Sequence, residues 1–280
     1  MSSTGLCFKY CPLSVLELEN IISKKIHFSA IIGFNDPRDS EIPYDLDDVL
    51  SSEDARPFIQ WSQQLKRVPR VIINEMISVL RRQIYIACFS QIESGEDDSL
   101  MWAYYADKSR GMRIACDFDA FATRNELVHD DENFLFPVEY HKQDAAKGFG
   151  TAIVLSLLRA LRDRPEKRYV YRPLKDFIKD CPSLAFSDVA CREHILRCVT
   201  TKRECWEDER EMRLIRFIMP GMPSDITLTR QSFFKEISLG PKSSKADRLL
   251  VTKIFSSMGQ SASFISNAEG IYTFNLTHQK

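Results

Sequence analysis

The sequence predicts an α+β fold: a mixed, mostly antiparallel, short-stranded sheet flanked by helices in a single compact domain. Short β-rich runs at Ile84–Ser90, Met112–Phe118 and Arg213–Met219 have the length and residue types of strands. Other stretches space their apolar residues at helical intervals, as Val71, Ile72, Met76, Val79 and Leu80 do. The two kinds follow one another without the regular strand–helix alternation that a doubly wound parallel sheet needs. The domain is expected to span about residues 8–276, with helical insertions at about 54–83 and 151–204.

Phe8–Cys11 reads as a short strand stopped by Pro12, and Ser14 is placed to cap a helix from Val15 to about Lys24. Ile26–Ser29 reads as a strand, and Phe34-Asn35-Asp36-Pro37 as a rigid Asx corner locked by proline. The acidic stretch Glu41–Asp54 is expected to be an exposed loop. Pro57–Gln83 is one helix interrupted near Pro69, or two short ones, because an interior proline removes a hydrogen bond and clashes with the preceding turn.

Ile84–Ser90 has the composition of a central strand, and Ser99 is placed to cap a short aromatic helix holding Met101, Trp102, Tyr104 and Tyr105. Strands are expected at Met112–Phe118 and Phe136–His141. Gly148 and Gly150 read as a turn before a helix from Thr151 to about Asp163, Arg164–Pro182 as a basic, proline-punctuated stretch, and Ser187 to about Glu204 as a helix. Strands at Arg213–Met219, Ile226–Leu228, Glu236–Leu239 and Ile271–Asn275, and a helix at Ser243–Ser256, complete the expectation.

Composition narrows the function classes. With 38 basic and 39 acidic residues the net charge is −1, so no global field draws in nucleic acid or an anionic membrane. No run approaches the roughly 18 apolar residues of a membrane span. Residues 1–10 lack the basic start and apolar stretch of an export signal, so the eight cysteines are expected as reduced thiols and the chain as cytoplasmic. The partners these features leave open are a small molecule or a nucleic acid, with no membrane and an unspecified oligomeric state.

Several constellations have plain structural readings. Cys191, His194 and Cys198 share a helical stripe, but no C-x-x-C knuckle accompanies them, so a buried stripe is expected and no metal is assigned. Gly148-Phe149-Gly150 lacks the rest of a phosphate loop. The basic residues between Arg159 and Arg172, interleaved with Tyr169 and Tyr171, read as a solvated helix end or as a contact for nucleic-acid phosphates.

Lys202–Arg213 is the most chemically dense stretch, with four glutamates, one aspartate, three arginines and a tryptophan in twelve residues. Glu209 and Glu211 would share one face if extended. In order along the chain stand Lys9-Tyr10, His27-Phe28-Ser29, Phe34-Asn35-Asp36-Pro37, Cys88-Phe89-Ser90, Met101-Trp102-Ala103-Tyr104-Tyr105, Arg110-Gly111, Phe118-Asp119 and Trp206-x-x-Glu209-x-Glu211-x-Arg213. In this set the chain resembles a large bacterial family catalogued as a domain of unknown function. It departs from that family's pattern at Arg38 (usually Phe), Asp208 (usually Tyr) and Met212 (usually Trp), which keeps the polar core of the last motif and thins its aromatic packing.

The layout is also similar to that of ADP-ribosyltransferases, which implies NAD as substrate. On that likeness the catalytic positions are Glu209, with Glu211 as the alternative, and Ser29 and Tyr10 as positioning groups. Lys9, Asn35, Asp36, Trp102, Tyr105 and Arg213 are the candidate substrate-binding residues. Three other readings stand beside it: a structural ion-pair network of Glu209, Glu211 and Arg213 with Lys202 or Arg210, a nuclease holding a divalent metal on Asp36, Glu209 and Glu211, and a non-catalytic nucleic-acid-binding or sensor module.

Overall fold

Strand β1 (Leu6–Cys11) lies in the middle of a nine-stranded antiparallel sheet. The computed structural model describes residues 5–34, 36, 38–39, 41–92, 97–118, 133–142, 145–162, 174–219, 221–222, 226–227, 233–257, 264–266 and 270–276. On one side β1 pairs along its whole length with β5 (Met112–Asp117), and the sheet continues through β11 (Phe234–Leu239), β13 (Tyr272–Asn275) and β12 (Phe264–Ser266). On the other side Phe8 stands opposite Ser90 of β4 (Ile84–Ser90), which runs beside β9 (Glu211–Phe217) and then β6 (Asn133–Pro137). The short β3 (Ser29–Ala30) pairs with Tyr85 and Ile86 of β4. The expected α+β architecture, a mostly antiparallel sheet flanked by helices, is what the chain adopts.

Strand alternation divides the residues between two faces. Cys7 and Cys11 face one cluster, shared with Leu18 and Ile21 of α1 (Val15–Ile22) and with Val251 and Phe255 of a C-terminal helix, Lys245–Ser257. On the opposite face the sheet carries two clusters. The larger sets Ile84, Ile86, Ile215 and Phe217 against α3 (Arg56–Gln64), α4 (Pro69–Arg81), α6 (Ala146–Arg162), α7 (Leu174–Ser187) and α8 (Val189–Val199). The smaller gathers Phe8, Tyr10, Met101 and Trp102, the last two from α5 (Ser99–Tyr104). The candidate site lies between these two clusters.

Local chemistry explains most boundaries. The Ser14 hydroxyl accepts from Glu17 N at 3.2 Å and starts α1. Pro57 and Pro69 each stand in the first turn of a helix, where a missing N–H costs nothing, so the expected interruption resolves as two helices. Glu41–Asp54 is not all loop: Asp45 accepts from Asp47 N and Asp48 N at 3.0 and 3.2 Å and starts α2 (Leu46–Ser51). Its acidic first turn suits the positive end of a helix.

Other boundaries differ from expectation. Ile26–Ser29 is two short strands: β2 (Lys25–Ile26) pairs with β10 (Ile226–Thr227) in a separate sheet, and only β3 joins the main one. The expected strand Phe136–His141 breaks at Pro137–Val138, after which β7 (Glu139–His141) pairs in parallel with β8 (Thr201–Arg203). The helix expected to reach Glu204 therefore ends at Val199. Gly148 and Gly150 lie inside α6 rather than in a turn before it, and Gly150 is where α6 meets Pro43: a Cβ there would stand 1.8 Å from the Pro43 carbonyl oxygen. Pro182 is held within α7. Cys191 and Cys198 pack into the larger cluster. Among the described residues no helix is long and apolar enough to cross a membrane.

Candidate functional site

The acidic stretch takes a form that is neither helix nor plain strand. After β8, Glu204–Glu209 turn tightly in a 3-10 conformation, and Arg210 adopts the left-handed region at φ 43°, ψ 52° before β9 begins at Glu211. That one residue reverses the chain, leaving Glu207 exposed and turning Glu209 and Glu211 inward. Four bonds fix the corner. Arg210 N donates to Glu207 O at 3.0 Å, Gln91 N to Arg210 O at 2.9 Å, the Ser90 hydroxyl to Glu209 O at 2.7 Å, and Glu211 N to the Tyr140 hydroxyl at 2.9 Å.

The two carboxylates enter a buried ion cluster. Lys202 Nζ stands 2.6 Å from Glu209 Oε2, 3.2 Å from Glu211 Oε2 and 3.7 Å from Asp39 Oδ2. Arg213, fully buried, donates through Nε to Glu211 Oε1 at 2.9 Å, and through its terminal nitrogens to Asp39 at 2.6 Å and to the Val199 carbonyl at 2.5 Å. Tyr105 donates its hydroxyl to Glu209 Oε1 at 2.6 Å. Among the described residues, three carboxylates thus face two cations, an excess of one negative charge.

Electrostatics follow from this arrangement. Burial pushes the Glu211 carboxyl up, but the Arg213 guanidinium and Lys202 ammonium overcome it and hold the group down at about 2. Burial lowers Lys202, yet Glu211, Asp39 and Glu209 raise it on balance, so it stays an ammonium. Burial and the bond to Glu209 both raise Tyr105, which stays a hydroxyl donor.

Above the cluster opens a cleft of about 690 Å³. Phe8, Tyr10, Phe34, Tyr104, Tyr105 and Trp206 supply aromatic walls, and Ser29, Asp36, Asp39, Lys202, Glu209 and Glu211 the polar groups. Glu209 lines the cleft but is only 2 % exposed, and the Tyr105 hydroxyl and Lys202 ammonium each bond one of its carboxylate oxygens. Tyr10 is held for its place: its hydroxyl donates to Asp98 Oδ2 at 2.7 Å, an oxygen that also accepts from Trp102 Nε1 and Arg113, each at 3.0 Å. The Trp102 indole meets the Tyr10 ring edge-on at 5.4 Å.

The cleft thus brings together Tyr10, Ser29, Asp36, Tyr105, Glu209 and Glu211 of the sequence candidates. Three others stand elsewhere. Lys9 projects from the opposite face of β1 and pairs with Glu17 at 2.9 Å. Arg213 lies behind the carboxylates with its donors spent on Asp39, Glu211 and Val199, so it shapes the cluster rather than presenting a guanidinium to the cleft. Trp102 is buried under Tyr10 and does not line the cleft. Asn35 lies outside the described residues, as does most of the basic stretch between Arg159 and Arg172. Arg159 pairs with Asp54 at 2.9 Å, and Arg162 pairs with the same carboxylate.

Sequence reasoning had not singled out Asp39 or Trp206 as site residues, and it placed Tyr104 only in the aromatic helix beside Trp102 and Tyr105. Trp206 opens the glutamate motif, so its signal was present, whereas Asp39 lies two residues beyond the Phe34–Pro37 motif and had no signal of its own. The comparisons point to the same region. A family model described as "Protein of unknown function (DUF2971)" matches residues 101–214. The resemblance to a family of unknown function is borne out over that segment. The DUF2971 match begins at the aromatic helix with Met101 and closes just after Arg213, so it takes in Tyr105, Lys202, Glu209 and Glu211, while Tyr10, Ser29, Asp36 and Asp39 lie before it. Neither the curated proteins nor the solved structures yield a match.

Proposed function

We propose that the cleft binds NAD and cleaves the bond between its nicotinamide and ribose, in the manner of an ADP-ribosyltransferase. The observation that carries this reading is the convergence of Tyr10, Ser29, Asp36, Tyr105 and Glu209 on one aromatic-walled cleft with a negative floor. A planar, positively charged nicotinamide ring suits aromatic walls. As the C1′–N bond breaks, its electron pair passes to the ring nitrogen and neutral nicotinamide leaves. The ribose gains oxocarbenium character at C1′, which the excess negative charge of the Glu209–Glu211–Asp39 cluster stabilises. An acceptor hydroxyl, amine or water then attacks C1′ and releases its proton to the carboxylate or to solvent.

Glu209 has capacity for this role. Each carboxylate oxygen carries two lone-pair sites, so the bonds from Tyr105 and Lys202 leave room to accept a ribose hydroxyl. Incubating NAD with the purified chain and following nicotinamide release by chromatography tests the reading. Release above a no-protein control supports it, and none with any acceptor class overturns it.

Lys202 weighs against the nuclease reading. Its ammonium stands between Glu209 and Glu211, 2.6 and 3.2 Å from their oxygens, and among the described residues no group of three or more His, Cys, Asp or Glu side chains is arranged to hold a metal ion. A nuclease would require magnesium or manganese and lose activity in chelator, whereas nicotinamide release is expected to survive chelator.

A further inference from the structure

The cleft does not end at Trp206. A second chamber of about 550 Å³ adjoins it, and the two share Asp36, Asp39, Lys202 and Trp206 as a common wall. The chambers differ in charge. Among the described residues, the aromatic one sets four carboxylates against Lys202 alone. The second brings Arg38, Lys142, Lys202 and Arg203 against Asp36, Asp39 and Glu41, and Asp39 is already bound by Arg213.

Two of these cations are uncommitted. Arg38 and Arg203 are exposed, and neither side chain has an ion-pair partner among the described residues. Lys142 is only loosely engaged, 3.8 Å from Glu204. Guanidinium groups match phosphate oxygens bidentately, and two of them lining one chamber offer paired donors to a condensed phosphate. A ligand spanning the shared wall would carry a cationic or neutral ring at one end and a polyanion at the other, a charge separation that follows the two chambers.

We propose that the second chamber is an anion subsite for the pyrophosphate of the ligand whose ring occupies the aromatic cleft, gripped by Arg38 and Arg203. This rests on the proposed dinucleotide reading for the ring, though the anion site itself can be tested without it. Both arginines lie on the surface, so their replacement leaves the core intact, which circular dichroism can verify.

The test measures binding by calorimetry of three probes, inorganic pyrophosphate, NAD and nicotinamide riboside, to the full chain and to the Arg38→Gln plus Arg203→Gln variant. The expected result is pyrophosphate binding that weakens with salt. Affinity for both pyrophosphate and NAD should fall about tenfold per arginine, equivalent to about 1.4 kcal/mol each, while nicotinamide riboside is unaffected. Absence of pyrophosphate binding to the unaltered chain, or equal binding by the variant, overturns the subsite. Pyrophosphate binding that depends on the arginines, with neither NAD nor the riboside bound, upholds the subsite and removes the dinucleotide reading instead.

Discussion

Lys202 Nζ stands 2.6 Å from Glu209 Oε2, while the Tyr105 hydroxyl closes on the other oxygen of the same carboxylate. A carboxylate gripped from both sides is fixed in place, and fixed charges stabilise a developing positive charge without reorganisation. Tyr105→Phe removes one grip and leaves the Lys202 contact. It is expected to lower the rate of nicotinamide release by about ten- to a hundredfold, and to cost about 1–3 kcal/mol of stability. Steady-state kinetics beside urea denaturation separates the two; a stability loss with unchanged rate would assign Tyr105 to structure alone.

Arg213 has the opposite profile. Its replacement by Met fills the space but leaves Asp39 and Glu211 facing each other with only Lys202 between them. Removing one partner of a buried ion cluster costs about 3–5 kcal/mol. Urea unfolding of Arg213→Met should show a loss of that size, and a midpoint within error of the unaltered chain would mean the cluster contributes little to stability.

The same cluster sets an acid limit on the fold. Glu211 has its pKa depressed from the ordinary 4.5 to about 2, so it binds a proton more readily unfolded than folded. Its stabilising contribution, on the order of 3 kcal/mol, is complete above pH 5 and is lost as pH falls toward 2. Glu211→Gln has no such titration there. The unaltered chain should therefore lose stability more steeply than the variant between pH 5 and 2; parallel profiles would contradict the pairing.

Two glycines in one helix should respond with opposite signs. Gly148 has open space where a Cβ would go, so Gly148→Ala should gain up to about 1 kcal/mol from helix propensity. At Gly150 the added carbon collides with the Pro43 backbone, so Gly150→Ala should lose about 1–3 kcal/mol. Thermal melts of both variants check the docking of α6 against the residue 41–45 segment, and a stabilised Gly150→Ala would show that docking to be absent.

Where the sequence carried its own local signal, the fold was legible. Ser14 announced α1, Pro57 and Pro69 divided α3 from α4, and the runs in β4, β5 and β9 marked the sheet. Most misses are those in which tertiary contact overrides a local rule. Pro182 and Gly150 look like breakers but are buried in helices by packing; the Glu41–Asp54 stretch is different, because its local signal, the Asp45 cap of α2, was read as loop. At the site, Glu209 and Glu211 were visible as a motif. The left-handed Arg210 that turns them inward has no glycine or asparagine to signal it. The pairing of Arg213 with Asp39, 174 residues away in the chain, is a property of the folded sheet alone.

On the proposed function, Glu209 is the carboxylate that meets the reacting ribose. The measurement that tests this most directly is nicotinamide release from NAD by the unaltered chain and by Glu209→Gln, with urea unfolding of each. The expected result is a rate reduced by about a hundredfold or more in Glu209→Gln, with the fold retained because Lys202 keeps Glu211 and Asp39 as partners. A Glu209→Gln chain that folds and releases nicotinamide at the unaltered rate would contradict it.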